Sequence, residues 1–197
     1  MRHATDQDHD VSGRTTSAVA RQGNVQAMGE AAGGAAALPG QGRPAFVQAG
    51  AGATYWGPGN RLTFLLTGAE TGGAFFLAEM LVPPGGGPPP HVHSREDETF
   101  HVLEGSLTVQ VGGETLSASA GDSAFLPRGI AHSFKNAGSE PAKALVLTTP
   151  AGLEHFFAEV FDSSPGDPAE PVSKELIARS IAAGPRYGLK LLPPTRE

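Results

Sequence analysis

Three histidines and one glutamate are spaced so that they could hold a metal ion. His91 and His93 are separated by one residue, so on an extended strand both imidazoles point to the same side. Glu98 follows after four intervening residues, far enough for a turn to return its carboxylate to the imidazoles. His132 comes just after the turn Pro127-Arg128-Gly129. Three imidazoles and a carboxylate suit Fe(II), Mn, Ni, Co, Cu or Zn, and ligand type does not choose among them.

The same residues belong to two longer patterns. One runs from Gly85 as five residues, His-x-His, four residues, Glu, six residues and Gly105; the other runs from Gly121 as five residues, Pro-x-Gly, two residues, His, three residues and Asn136. Both resemble the two motifs of the cupin superfamily at every position, with a short separation of fifteen residues. The resemblance implies a double-stranded β-helix (jelly-roll) barrel. It also implies that one divalent transition metal per chain is held by His91, His93, Glu98 and His132.

The elements that must position these residues are short strands. Runs of strand-forming residues alternate with glycines and prolines, which is typical of an all-β sandwich or barrel. We predict strands at 45–48, 61–66, 74–82, 98–103, 106–111, 114–118, 122–126, 132–136 and 142–149.

After Pro150 the apolar residues recur at helical spacing. We predict two short C-terminal helices, the second capped by Ser173, joined by the proline-rich linker 163–171 and followed by a docked tail at 187–192. The chain therefore divides into a disordered low-complexity segment at 1–43, the barrel at 44–150 and a C-terminal helical extension at 151–197 that packs on the barrel.

Composition excludes several classes of partner. The 197 residues carry a formal charge of −6 with only 14 lysines and arginines, so nucleic acid is not expected as a partner. No apolar run approaches the roughly 18 residues of a membrane span, and the N-terminus lacks the order of a signal peptide. We expect a cytoplasmic protein without membrane contact. The absence of cysteine excludes thiolate ligands.

Two strand faces predict the walls of a substrate pocket. By strand alternation Phe100 shares a face with Glu98, and Phe134 shares one with His132. We predict that these two rings, together with Met80, contact the substrate.

Other polar residues near the motifs are assigned structural roles. Glu96 and Asp97 are predicted to be exposed loop charges, although either could replace Glu98 if the register slipped. His101 points to the opposite face from Glu98 and is predicted to be structural. Asn136 is expected to bond backbone groups of a turn.

A narrower resemblance concerns activity. Residues 54–57, 62–68, 71–74 and 82–91, together with 149–154 and 156–157, resemble single-domain quercetinase-like proteins, and the resemblance spans about 50–192. This implies a dioxygenase that cleaves a flavonol-like or enediol-containing substrate with O₂, with Glu98 as both ligand and catalytic base. Tyr55 and Trp56 could stack on an aromatic substrate or cover a sheet edge. Cupins are often dimeric, and 45–48 could exchange between protomers of a homodimer.

Two alternatives stay open. One is a metal-dependent isomerase or lyase acting on a small polar molecule, and the other is a cupin that binds a small ligand without catalysis. An isomerase or lyase of that kind needs polar pocket walls, whereas the predicted strand faces carry Phe, Leu, Val and Met.

Overall fold

A computed structural model describes residues 26–27, 40–163 and 173–193. The predicted disorder of 1–43 and the linker 163–171 fall largely outside these residues. The strands are β1 Gln26–Ala27, β2 Ala45–Phe46, β3 Thr54–Gly57, β4 Asn60–Leu66, β5 Phe76–Val82, β6 His91–His93, β7 Asp97–Glu104, β8 Ser106–Val111, β9 Glu114–Ser119, β10 Ser123–Leu126, β11 His132–Lys135, β12 Ala142–Thr149 and β13 Leu189–Leu191. The α-helices are α1 Gly68–Thr71, α2 Leu153–Val160 and α3 Lys174–Ala183.

The strands pair into antiparallel sheets, which confirms the predicted all-β jelly-roll class. Within the described residues, a six-stranded sheet has the order β10-β7-β12-β5-β4-β3 and a five-stranded sheet has the order β13-β6-β11-β8-β9. β1 and β2 form a separate two-stranded ribbon. The sequence neighbours β6 and β7 lie in different sheets, so the chain passes from one sheet to the other between His93 and Asp97.

The hydrophobic core lies between the two large sheets. In β5 the residues Phe76, Ala78, Met80 and Val82 are buried while those between them are half-buried, as strand alternation requires. The same alternation in β12 and β8 sends residues of both sheets into one continuous cluster.

The C-terminal segment packs on this core as two helices and a strand. Leu153, Phe156 and Val160 of α2 are buried in the core cluster. α3 begins where the hydroxyl of Ser173 accepts a hydrogen bond from the backbone N–H of Leu176 at 3.0 Å, which confirms the predicted cap. A 3₁₀ turn at Gly184–Tyr187 leads to β13.

Three features differ from or extend the sequence-based expectations. Tyr55 and Trp56 lie in β3, an edge strand that was not predicted. The docked tail is itself a strand, because β13 pairs with β6. Ala45–Phe46 pairs with Gln26–Ala27 of the same chain, and its exchange in a homodimer stays a prediction, as do the domain boundaries.

None of the helices in the described ranges is long and apolar enough to cross a membrane.

Candidate metal centre

The fold brings both sequence patterns to one point between the sheets. His91 and His93 are the two inward residues of β6 and are 8% and 3% exposed. β11 pairs with β6 so that His132 lies opposite His91. Glu98 comes from the facing sheet, where the alternation of β7 buries it together with Phe100, as predicted. Residues that are far apart in sequence therefore meet because strand pairing aligns them.

The four side chains form a group that could hold a metal ion. Their candidate ligand atoms all lie within 4.8 Å of one another, and all four residues are buried. Nε2 of His132 lies 3.1 Å from Oε2 of Glu98, and Nε2 of His93 lies 3.8 Å from the same oxygen. Both ring nitrogens of His93 are buried without a hydrogen-bond partner in the described residues. Because such orphaned nitrogens are costly, the donor set fits a cation that would use one of them.

Backbone carbonyls orient two of the imidazoles. Nδ1 of His91 lies 3.0 Å from the carbonyl oxygen of Pro89, and Nδ1 of His132 lies 3.0 Å from that of Ile130. A carbonyl oxygen only accepts, so each Nδ1 carries the proton and donates it. In the neutral ring of His91 this leaves the lone pair on Nε2, whereas Nε2 of His132 hydrogen-bonds Glu98 and would release that proton on binding a metal. Outer contacts such as these carbonyls are what fix metal-binding histidines.

Glu96 was predicted to be exposed, and this was wrong. Glu96 is only 3% exposed, and its Oε2 lies 3.8 Å from Nδ1 of His93 without a hydrogen-bond partner among the described residues. The inward alternation of Glu98 and Phe100 continues one step before β7 begins, which places Glu96 on the same face. Strand periodicity could therefore have found it. Asp97 faces outward, and its carboxylate accepts hydrogen bonds from Arg128.

Burial sets the protonation of these groups. Removal from water, followed by repulsion from His93 and His132, lowers the pKa of His91 to about 3. Burial also lowers the pKa of His93. For Glu98 burial alone would raise the pKa, but the hydrogen bond with His132 and the nearby imidazoles outweigh it and hold the pKa below its usual value. At neutral pH His91 and His93 are therefore neutral and Glu98 is ionised, which are the states that bind metals. Burial raises the pKa of Glu96.

A cavity of about 60 Å³ opens beside the group. His91, His93 and Glu98 reach it, and so do Met80 and Phe134, two of the predicted substrate contacts. Phe100, the third, is not among the lining residues and packs edge-on behind Phe134 with ring centroids 5.0 Å apart. The other lining residues are Pro58, Asn60, Leu62, Pro88, Pro89, Val146, Phe156, Phe157, Phe161, Ser180, Leu189 and Leu191. Asn60 and the C-terminal residues were not predicted.

The residues predicted to be structural lie outside the cavity. Nδ1 of His101 lies 3.0 Å from the hydroxyl of Ser123 on an exposed face. The amide of Asn136 donates to the carbonyls of Val82 and Glu140 and accepts from the N–H of Gly138, as expected. Trp56 stacks under the guanidinium of Arg61 at 5.6 Å and does not line the cavity.

Comparison with known proteins agrees with this architecture. The cupin domain family matches residues 78–148, a range that includes all four side chains of the candidate centre. Quercetin 2,3-dioxygenase of Bacillus subtilis (strain 168) is 29% identical over 104 residues, which cover 52% of this chain and 31% of that enzyme. Residues 78–148 therefore form a cupin domain.

Two further similarities extend the comparison. The tetracenomycin polyketide synthase protein TcmJ of Streptomyces glaucescens is 31% identical over 87 residues, covering 44% of this chain and 58% of that protein. A crystal structure of an RmlC-like cupin from Shewanella frigidimarina matches with a TM-score of 0.46 and 21% identity, over 53% of this chain and 88% of that one. The chain thus spans less than two thirds of the length of both curated relatives.

Proposed function

We propose that this cupin is a metal-dependent dioxygenase that acts with O₂ on a small substrate containing an enol or enediol. The observation that carries this proposal is the buried group of three histidines and Glu98, three members of which reach an apolar cavity. A structural zinc site is normally closed by four protein ligands in a tetrahedron. A site whose ligands line a cavity leaves room for substrate at the metal, as in the histidine-and-carboxylate sites of oxygenases.

The chain's own residues accept the substrate's proton and keep water out of the cavity. The metal, when bound, would acidify a coordinated hydroxyl and hold substrate and O₂ together. The ionised carboxylate of Glu98, whose pKa is held below its usual value, accepts the enol proton of the substrate. The phenylalanine and leucine walls exclude water, which protects the electron-rich enolate from reprotonation.

The size of the cavity favours a small enediol over a flavonol. At about 60 Å³ the cavity is well below the roughly 300–1,000 Å³ of typical ligand pockets. A three-ring flavonol is larger than this cavity. It would require the wall formed by the C-terminal segment to move, whereas a single-ring substrate would not.

The apolar lining also bears on the alternatives. An isomerase or lyase for a polar molecule needs several polar contacts in its walls, and here most lining residues are apolar. A cupin that only binds a ligand would show no turnover. A homodimer and a cytoplasmic location are further predictions from the sequence.

Oxygen uptake tests the proposal. The protein would be loaded separately with Fe(II), Mn, Ni, Co and Cu and assayed with small enediols, single-ring hydroxypyranones and a flavonol. We expect oxygen consumption with at least one metal, faster for small substrates than for the flavonol. Metal-loaded protein that binds these compounds but consumes no oxygen with any of them would contradict dioxygenase activity and favour a binding function.

A further inference from the structure

Asn60 places a polar group in the otherwise apolar part of the cavity. It is the first residue of β4, follows the turn at Pro58-Gly59, and is 7% exposed. Its side chain lines the same cavity as His91 and Glu98. Two strands, β5 and β12, separate β4 from the Glu98 strand β7. At about 4.8 Å per strand the backbones of β4 and β7 are about 14 Å apart across the sheet, so the amide and the carboxylate reach the cavity from well-separated positions.

The hydrogen-bonding capacity of this amide is almost unused. Oδ1 of Asn60 is buried and has no partner among the described residues. Its Nδ2 has one weak contact, 4.0 Å to the thioether sulfur of Met80. Buried side-chain amides are normally hydrogen-bonded, and each exception needs an explanation. A ligand in the cavity would supply the missing partner.

The residues around Asn60 favour a neutral ligand group over a charged one. No lysine or arginine lines the cavity in the described ranges, and Glu98 is its one acidic lining residue. The hydroxyl of Ser180 already donates to the carbonyl of Leu176 at 2.8 Å. A carboxylate or phosphate beside Asn60 would therefore be buried without a counter-charge, which is unfavourable. An amide both donates and accepts, so a neutral hydroxyl or carbonyl suits it.

We propose that Asn60 is a specificity-determining residue that hydrogen-bonds a second, neutral polar group of the substrate, separate from the enol that faces Glu98. The substrate class is thus a small, uncharged, single-ring or open-chain enol that carries a hydroxyl or carbonyl across from its chelating end. This assignment rests on the proposed function for the identity of the chelating end. The pairing of Asn60 with the other polar group rests on the cavity itself.

Two hydroxypyranone chelators test the assignment. Kojic acid and allomaltol have the same chelating end and differ by one hydroxyl at the opposite side of the ring. Their affinities would be measured by calorimetric titration of the full chain loaded with Co(II), for the wild type and for Asn60→Leu. We expect the wild type to prefer kojic acid by roughly 3- to 10-fold, the contribution of a neutral hydrogen bond, and Asn60→Leu to lose the preference. Asn60→Ala is measured in parallel, so that the test can still be made if the leucine variant does not fold.

Thr148→Val is the matched control. Oγ1 of Thr148 is also buried and unpartnered among the described residues, but Thr148 does not line the cavity, so this variant should keep the preference. Equal wild-type affinity for the two chelators, or a preference that persists in both Asn60 variants, would overturn the assignment. The readout is binding, so absent oxygen uptake with an intact preference would refute the dioxygenase proposal and leave Asn60 as a ligand-recognition residue.

Discussion

The two sides of the cavity come from different parts of the chain and have opposite character. The side that carries His91, His93 and Glu98 is polar and is built from strands of the barrel. The neighbouring wall contains Phe156, Leu191 and other apolar residues of the C-terminal segment. From this difference we expect the barrel strands to provide the metal-binding residues and the C-terminal segment to limit the size of the molecules that reach them.

The two sides are joined directly through β6. In the pairing of β13 with β6, Leu189 lies opposite His93 and Leu191 lies opposite His91. Beyond the strand, the N–H of Leu192 donates to the carbonyl of Pro90 at 2.7 Å. The apolar wall is therefore held by backbone hydrogen bonds to the strand that carries two of the candidate ligands, so its position relative to the metal group is defined.

The largest effect is expected from Glu98→Gln on the polar side. Glutamine keeps an oxygen that can bind a metal but cannot accept a proton as a carboxylate does. We expect oxygen uptake to fall by about 10²- to 10⁴-fold, the usual contribution of a general base, while much of the metal is retained. Glu104→Gln, an exposed residue of the same strand, is the control and should keep wild-type activity. Unchanged turnover in Glu98→Gln would remove the catalytic role of this carboxylate.

On the apolar side, Leu191→Ala should change selectivity. The truncation enlarges the cavity next to β6, and discrimination by one or a few methylene groups in an apolar pocket is about 10-fold or more. We expect the ratio of flavonol to small-enediol oxidation rates to rise by about 10-fold. Ile181→Ala, which truncates an exposed residue of α3, should leave that ratio at the wild-type value. An unaltered ratio in Leu191→Ala would show that this wall does not set substrate size.

Glu96→Gln tests whether Glu96 orients His93 for metal binding. Neighbours that orient ligating histidines usually contribute 10- to 100-fold to metal affinity. Glu96 approaches Nδ1 of His93 to 3.8 Å without a hydrogen bond, and glutamine removes its charge from that position while keeping its size. We therefore expect a loss of about 10-fold in affinity for Co(II), measured by competition with a chromophoric chelator, with little change in melting temperature. Wild-type affinity in this variant would mean that Glu96 does not orient His93.

The smallest effect is expected at the surface pair of Asp97 and Arg128. Hydrogen bonds from Arg128 lower the pKa of Asp97 from 3.8 to about 2. Because the folded-state pKa is depressed, the pair stabilises the fold above pH 3.8 and this contribution is lost as the pH falls towards 2. Asp97→Asn should therefore lower the urea midpoint slightly at pH 6 and not at all near pH 2. If the urea midpoint fell equally at both pH values, the effect would come from packing and not from the ion pair.

The two sides also differ in how far the sequence predicts them. The ligands were predictable because their spacing depends on local rules, namely strand alternation at His91 and His93 and a rigid turn before His132. Glu96 was missed although the same alternation points it inward. Leu191 and Asn60 could not be placed, because their positions depend on pairings with strands distant in sequence that local pattern does not specify.

Metal content tests the central claim most directly. Wild-type protein and the His91→Ala and His132→Ala variants would be equilibrated with a transition metal, desalted and measured by elemental analysis. The account predicts one tightly bound transition-metal ion per wild-type chain and a large loss in both variants. A folded wild-type protein that retains no transition metal, or histidine variants that retain as much as the wild type, would contradict it.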